Sequence, residues 1–387
     1  MKLLIIMALT ACFHTPAKSV SEASDALNSF AFRFYSELEA GESGTDRFVS
    51  PLSASLALSL LNTGAQGATE KEIVKALGFD CETGGMNERI QELVAGILSA
   101  DEGTTLEIAN SLWASGDISL KEKYLADASK YFDAEVRNLD FKAPGAAGEI
   151  NAWVDAKTHG CIRNIIDKAD PGMLLALLNA VYFKGEWADE FTSGKDDRFR
   201  TIDLQESPVR MMQRSGRYAY CEDEKFKMIE IPYGNGSFVM DVILPCDEDP
   251  SHFSEEITAL DLDEWNSLTG ALKSQTVRLY LPKFKMEYEI DLEGCLNSLG
   301  IRRAFTSKAD FSGISTTPLM VSKVKQKAFV DVTETGTEAA AVTFIGMKAT
   351  SAGPSERPVI FRADRPFVFA IREKESGVII FLGQKVK

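Results

Sequence analysis

The sequence predicts an α+β fold with mostly antiparallel sheets. Amphipathic helical patterns fill the first half of the chain, and short apolar runs of strand character fill the second. No internal repeat, low-complexity block or Pro/Gly-rich linker divides the 387 residues, which argues for one large domain.

The elements follow in order. Residues 21–40 read as a helix, because Leu27, Phe30, Ala31, Phe34 and Leu38 recur at three- and four-residue spacing and make one apolar stripe. Phe48-Val49 is a short strand running into a helix start. Ser50 suits the N-cap, and Pro51 suits the first helical position, where its missing N–H loses nothing. That helix runs to about Asn62 and is Ala/Leu-rich nearly all round, which predicts burial. Thr69 to Leu77 reads as another helix, with Gly78 as its stop. The period then changes. Leu174 to Phe183, Met228 to Ile231, Phe238 to Leu244 and Val277 to Leu281 are strand-like. From Lys327 to Thr333, Ala328, Val330 and Val332 alternate with Phe329, Asp331 and Thr333. Pro366 to Ile371 and Val378 to Leu382 carry a hairpin signal, joined by residues 372–377.

Composition excludes several functions. The chain has 42 Lys and Arg against 57 Asp and Glu, a net charge of −15. Nucleic-acid binders neutralise phosphates with Lys and Arg, so this balance argues against such a partner and against an anionic lipid surface. The three histidines, His14, His159 and His252, limit histidine-based catalysis. His159 reads as helical and His252 lies in the acidic stretch from Cys246 to Glu256. Neither adjoins a nucleophile motif, and both read as structural or solvated. There is no Gly-x-Ser-x-Gly elbow, phosphate loop, dinucleotide fingerprint or His-Glu-x-x-His, so neither an enzyme nor a cofactor is expected. Cysteines 12, 81, 161, 221, 246 and 295 form no Cys-x-x-Cys pair, so they signal neither zinc nor a redox motif. Their spacing leaves a Cys221–Cys246 disulfide open.

At the N-terminus, Lys2 precedes an apolar run from Leu3 to Leu9, and Leu9-Thr10-Ala11-Cys12 follows. This order reads as a signal peptide of residues 1–12 ending in a lipobox-like cysteine, with Cys12 as the lipidated residue. The run is too short to span a bilayer, which needs ~20 residues. Residues 13–20 would be a tether and 21–387 the folded domain. A secreted or cell-envelope location follows, with membrane contact only through the lipid. An N-terminal extension packed on the domain, or a misassigned start, fits the same residues.

One segment breaks the pattern. About 25 residues separate the strand ending near Thr333 from the one starting near Val359. Connections this long inside a domain are usually functional or disordered. Read with period two, Thr337, Ala339, Ala341 and Thr343 share one face, all small and uncharged, while Glu338 falls on the other. A close-packed core could accept that face as a new central strand. Glu-Ala-Ala-Ala also suits a surface helix, and a plain exposed loop fits as well.

From about residue 25 onward, a series of motifs resembles the serpins in the family's order. They are Phe48-Val49-Ser50-Pro51-Leu52-Ser53, Gly67-Ala68-Thr69, Asn151-Ala152-Trp153-Val154, Leu178 to Trp187, Met211-Met212, Leu281-Pro282-Lys283-Phe284, Asp310-Phe311-Ser312-Gly313, Glu334 to Ala341 and Pro366-Phe367-Val368-Phe369. The resemblance implies an inhibitory, prokaryotic member with three sheets and roughly nine helices. Residues 334–358 would be its exposed reactive-centre loop, a bait for a serine or cysteine protease. The protease would form an acyl-enzyme, and the cut loop would insert into the main sheet and trap it. A monomer is expected.

Several residues carry over from the family. The hinge is Glu334, Gly336, Thr337, Ala339, Ala340, Ala341 and Thr343. In the family's register the cut bond is Thr350–Ser351, which suits elastase- or subtilisin-like pockets. Lys348–Ala349 is the alternative for a trypsin-like protease. Ser50, Ser53 and Asn179 match the shutter beneath the sheet's opening. The family usually has histidine where this chain has Gln326, which can donate and accept but cannot titrate. Trp187 and Lys283 match the breach, where the loop first enters. An ion pair between Lys283 and Glu334 would help hold the uncleaved form, unless it is an ordinary surface pair worth ~0–1 kcal/mol.

Overall fold

The structure, a computed structural model, describes residues 16–337 and 357–387. Among the described residues lie nine α-helices and fifteen strands, the α+β arrangement expected.

The first helix, Pro16–Gly41, buries the predicted stripe of Leu27, Phe30, Ala31, Phe34 and Leu38. Ser50 is extended, and its Oγ accepts the Ser53 N–H at 3.2 Å to cap helix Pro51–Asn62. Every residue of that helix is buried, as all-round apolarity predicts. Helix Gly67–Ala76 ends in a Schellman motif. The N–H of Gly78 bonds Lys75 O at 3.1 Å and that of Phe79 bonds Val74 O at 3.1 Å. Gly78 has φ +81, which a side chain would resist.

The main sheet has six strands in the spatial order Phe284–Asp291, Val321–Val332, Gly336–Thr337, Leu175–Glu186, Thr105–Ser115 and Glu135–Leu139. Its centre is unusual. The Val321 strand and the Leu175 strand run parallel, paired as far as Lys327 with Ala180. Beyond that point they part, and Gly336–Thr337 lies between them. It runs antiparallel to both, with Thr337 opposite Val332 and Gly185. A gap between two parallel strands can accept a third strand that is antiparallel on both sides, the better hydrogen-bonding geometry.

The remaining nine strands form one network. Strand Glu206–Glu222 pairs with Lys273–Pro282 from Met211 to Tyr220, and with Phe226–Pro232 from Ala219 to Glu222. Two of the three expected sheets are therefore joined along this one 17-residue strand. The C-terminal hairpin forms as predicted, Phe367–Glu373 against Ile379–Lys385. One core packs the Pro16 and Pro51 helices behind the main sheet. A second lies on the front, where Ile150, Trp153 and Val154 of helix Ala146–Lys157 cover Ala176, Leu178 and Ala180.

One reading needs correction, and one open question is settled. His159 lies beyond the end of helix Ala146–Lys157, with φ +51, and its Nε2 is 3.0 Å from Glu107 Oε2. Cys221 and Cys246 are both free thiols and form no disulfide. Cys12, Ala339, Ala340, Ala341, Thr343, Lys348, Ala349, Thr350 and Ser351 lie outside the described residues.

Candidate functional site

The site is the point where the chain leaves the Val321 strand and turns back into the main sheet. The Thr333 N–H bonds Gly336 O at 2.8 Å and closes the turn. The segment before Thr192 holds the turn from the other side. The Trp187 N–H donates to Thr335 O at 3.0 Å, the Phe191 N–H to Glu334 O at 2.8 Å, and the Trp187 indole to Thr333 O at 2.8 Å. Three consecutive carbonyls are thereby satisfied, as a buried backbone requires.

Side chains complete the hold. Glu334 Oε2 is 3.1 Å from Lys283 Nζ, and Oε1 accepts from Gly194 N at 3.3 Å. Burial opposes ionisation of Glu334. Its own and Gly194's N–H groups, with the Lys283 ammonium, outweigh that and hold the carboxyl below its usual range. Lys283 and Glu334 therefore meet as the family resemblance implies. Gly336 allows the closest approach, since a Cβ there would lie 2.2 Å from Gly185 O and 2.7 Å from Glu186 Cα. Thr337 is 2 % exposed and faces inward, as the period-two reading expects. Its Oγ1 is 2.6 Å from Tyr233 Oη, and the Tyr233 ring stacks on Trp187 with centroids 4.3 Å apart.

Lower down, under the parallel pair, Ser50, Ser53, Asn179 and Gln326, the residues matched to the family's shutter, form one buried network. Gln326 clasps the Ser50 backbone, accepting its N–H and donating to its carbonyl, both at 2.9 Å. Ser50 Oγ donates to Ile380 O at 2.7 Å. Ser53 Oγ donates to Asn179 Oδ1, and Asn179 Nδ2 returns a bond to Ser53 O at 3.2 Å. The bond between the two central strands' side chains, Gln326 Nε2 to Asn179 Oδ1, is long at 3.5 Å. Each strand is tied firmly to the helix below and only weakly to the other through these side chains. Parting the strands breaks their backbone ladder and this one long side-chain bond but leaves the ties to the helix intact, and an incoming strand would satisfy the backbone groups set free.

On the front, Lys323 and Lys327 pair with Asp291 and Glu287, both at 2.7 Å, and Lys325 pairs with Glu289. This ladder makes the Val321 and Phe284 strands one unit. Lys327 Nζ also donates to Asn164 O at 2.7 Å, in the segment after helix Ala146–Lys157.

Sequence reasoning missed two residues. Asn110 faces Asn179 in register and accepts its Nδ2 at 2.6 Å. An asparagine inside the run Ile108-Ala109-Asn110-Ser111-Leu112 was the available signal, because a polar group within an apolar strand must find a partner. Tyr233 carried no such signal, since it sits in a Pro-Tyr-Gly-Asn-Gly turn between two strands.

Comparison with known proteins agrees with this architecture. The family model Serpin (serine protease inhibitor) matches residues 25–387. An uncharacterized serpin-like protein of the archaeon Methanosarcina acetivorans is 35% identical over 390 residues, covering 97% of this chain and 91% of that one, which fits the prokaryotic expectation. The leukocyte elastase inhibitor of Equus caballus is 35% identical over 380 residues, covering 94% and 99%. Human thyroxine-binding globulin, in a crystal structure with thyroxine, superposes with a TM-score of 0.87 at 28% identity, covering 95% of this chain and 99% of that one.

Proposed function

The chain belongs to the serpin family, and from that premise we propose that it is a suicide-substrate inhibitor of serine or cysteine proteases. The observation that carries the reading is the seating of Gly336–Thr337 between two parallel strands, with the small-residue face continuing after it. The hinge has already begun the strand that a cut loop would complete. Similarity to an elastase inhibitor supports the same reading.

The energetics suffice. About a dozen new backbone hydrogen bonds at ~0.5–1.5 kcal/mol net supply roughly 6–18 kcal/mol before ordering costs. That rivals the ~5–15 kcal/mol stability of a protease and is enough to distort its active site. The cleaved bond in this reading is Thr350–Ser351, with Lys348–Ala349 the alternative for a trypsin-like enzyme. Lipidation of Cys12 would place the inhibitor at the cell envelope.

The test is incubation with elastase-, subtilisin- and trypsin-type proteases. An adduct that survives SDS is expected, and mass spectrometry of it gives the cut bond. Cleavage without any adduct would refute the inhibitory reading. It would favour a second one, a non-inhibitory binding or chaperone protein, to which the likeness to a thyroxine-binding globulin lends support.

A further inference from the structure

Strand Val359–Arg362 closes the nine-strand network and, among the described residues, is paired on one side only, in parallel with Lys273–Pro282. Its alternation turns Phe361 inward, 1 % exposed, and Ile360 outward, 62 % exposed. A single exposed isoleucine is ordinary. The surroundings of this one are not. The register sets Arg278 beside Ile360 and Ser215 beyond it, and the adjacent row brings Thr276 and Arg217. The Arg278 side chain has no ion pair or hydrogen bond among the described residues. Arg217 donates to Ser274 Oγ at 3.2 Å and Ser274 O at 3.3 Å, both uncharged partners. Arg357, three residues before Ile360, is exposed. The nearby carboxylates Asp197 and Asp364 are both held by Arg362. An apolar residue therefore sits beside the unneutralised Arg278, with the Arg217 guanidinium farther along the same exposed face at Ser274, on a chain of net charge −15.

We propose that this face is a second docking surface for the target protease, fitted to an enzyme whose rim carries carboxylates around an apolar contact. The proposal rests on the inhibitory reading. Continuity with the bait identifies the occupant. From Ser351 to Ile360 is nine residues, at most about 30 Å of extended chain. A protease of about 220 residues has a radius of gyration near ~17 Å and is about 45 Å across. A body that size, seated on a bond within that reach, is large enough to contact this face. Charge complementarity then steers the encounter and raises its rate, without altering cleavage or insertion.

The test compares the wild-type chain with Ile360→Asp and with the double variant Arg217→Glu/Arg278→Glu. The probe is an acidic subtilisin-type protease, at about 50 and 300 mM salt. Both variants should lose about tenfold or more in association rate, and the double variant should lose its salt dependence. Stoichiometry, SDS-stable adduct and Tm should match wild type, and Ile360→Val should restore the rate. Unchanged rates with normal adduct would overturn this surface alone. A wild-type chain that forms no adduct would overturn the surface and the inhibitory reading together. Salt-sensitive dimerisation that the arginine changes abolish, with protease rates unaltered, would assign the face to a second copy and refute the proposal.

Discussion

The hydroxyl of Thr337 lies 2.6 Å from the phenol of Tyr233, inside a wall made by the stacked Trp187 ring. This bond holds the leading residue of the hinge in the sheet before any cleavage. Burial pushes the Tyr233 phenol up, so it stays neutral and able to donate. Tyr233→Phe leaves the threonine hydroxyl without this partner in a buried site. It should destabilise the intact protein by about 1–2 kcal/mol, a fall of a few degrees in Tm. An unchanged melting curve for the uncleaved chain would show that the contact contributes nothing.

Thr337→Arg tests the same position from the other direction. Thr337 is 2 % exposed, so the guanidinium would have to be buried without a designed partner or pull the hinge out of the sheet. Burying an unpaired charge costs several kcal/mol, so the hinge should leave. In the proposed mechanism insertion then slows relative to deacylation, and an inhibitor becomes a substrate. Gel analysis with an active protease should show cleavage at the wild-type bond and loss of adduct. Adduct at the wild-type level would contradict the role given to this face.

Local chemistry was legible in the sequence, and long-range pairing was not. Ser50 and Pro51 signal a helix start through their own side chains, and the structure caps the helix there. Ala328, Val330 and Val332 show their burial by alternation. The shutter residues Ser50, Ser53, Asn179 and Gln326 could be named only by resemblance, because nothing local says that residues 276 apart in the chain share a bond, as Ser50 and Gln326 do. Asn110 joins them through strand register, and Tyr233 reaches Thr337 across 104 residues. The joining of two sheets along Glu206–Glu222 is likewise a property of pairing, invisible to a period-two pattern.

Gln326 makes the shutter indifferent to pH near neutrality. Its amide accepts from the Ser50 N–H and donates to the Ser50 carbonyl, and neither group titrates. Gln326→His would replace it with a ring whose ordinary pKa is about 6.5. Protonated, both ring nitrogens donate, and one of them would face the Ser50 N–H without an acceptor. Burial and this donor lower the folded pKa of the histidine, so its contribution is present above about pH 6.5 and is lost as pH falls below it. The melting temperature of Gln326→His relative to wild type should be constant from pH 7 to 8 and should fall on the acid side toward pH 5. A variant profile parallel to wild type would mean that the clasp on Ser50 is not strained by charge.

The Lys283–Glu334 contact gives the hinge its own acid limit. Glu334 has its carboxyl held below the ordinary 4.5 by N–H donors and Lys283, against the opposing effect of burial. A carboxylate with a depressed folded pKa contributes stability that is fully present above about 4.5 and declines as pH falls through the lower, folded value. The Glu334 side chain is 25 % exposed, so the contribution is modest, about 0–1 kcal/mol. Glu334→Gln removes the charge at every pH. Intact wild type should therefore melt slightly above the variant at pH 7 and pH 5, and the two curves should converge below about pH 4. Raising the salt concentration should narrow the gap at pH 7, because the pair is only partly shielded from solvent. A gap of constant size from pH 7 to 3 would show that the variant acts through packing and that the ion pair does not hold the hinge.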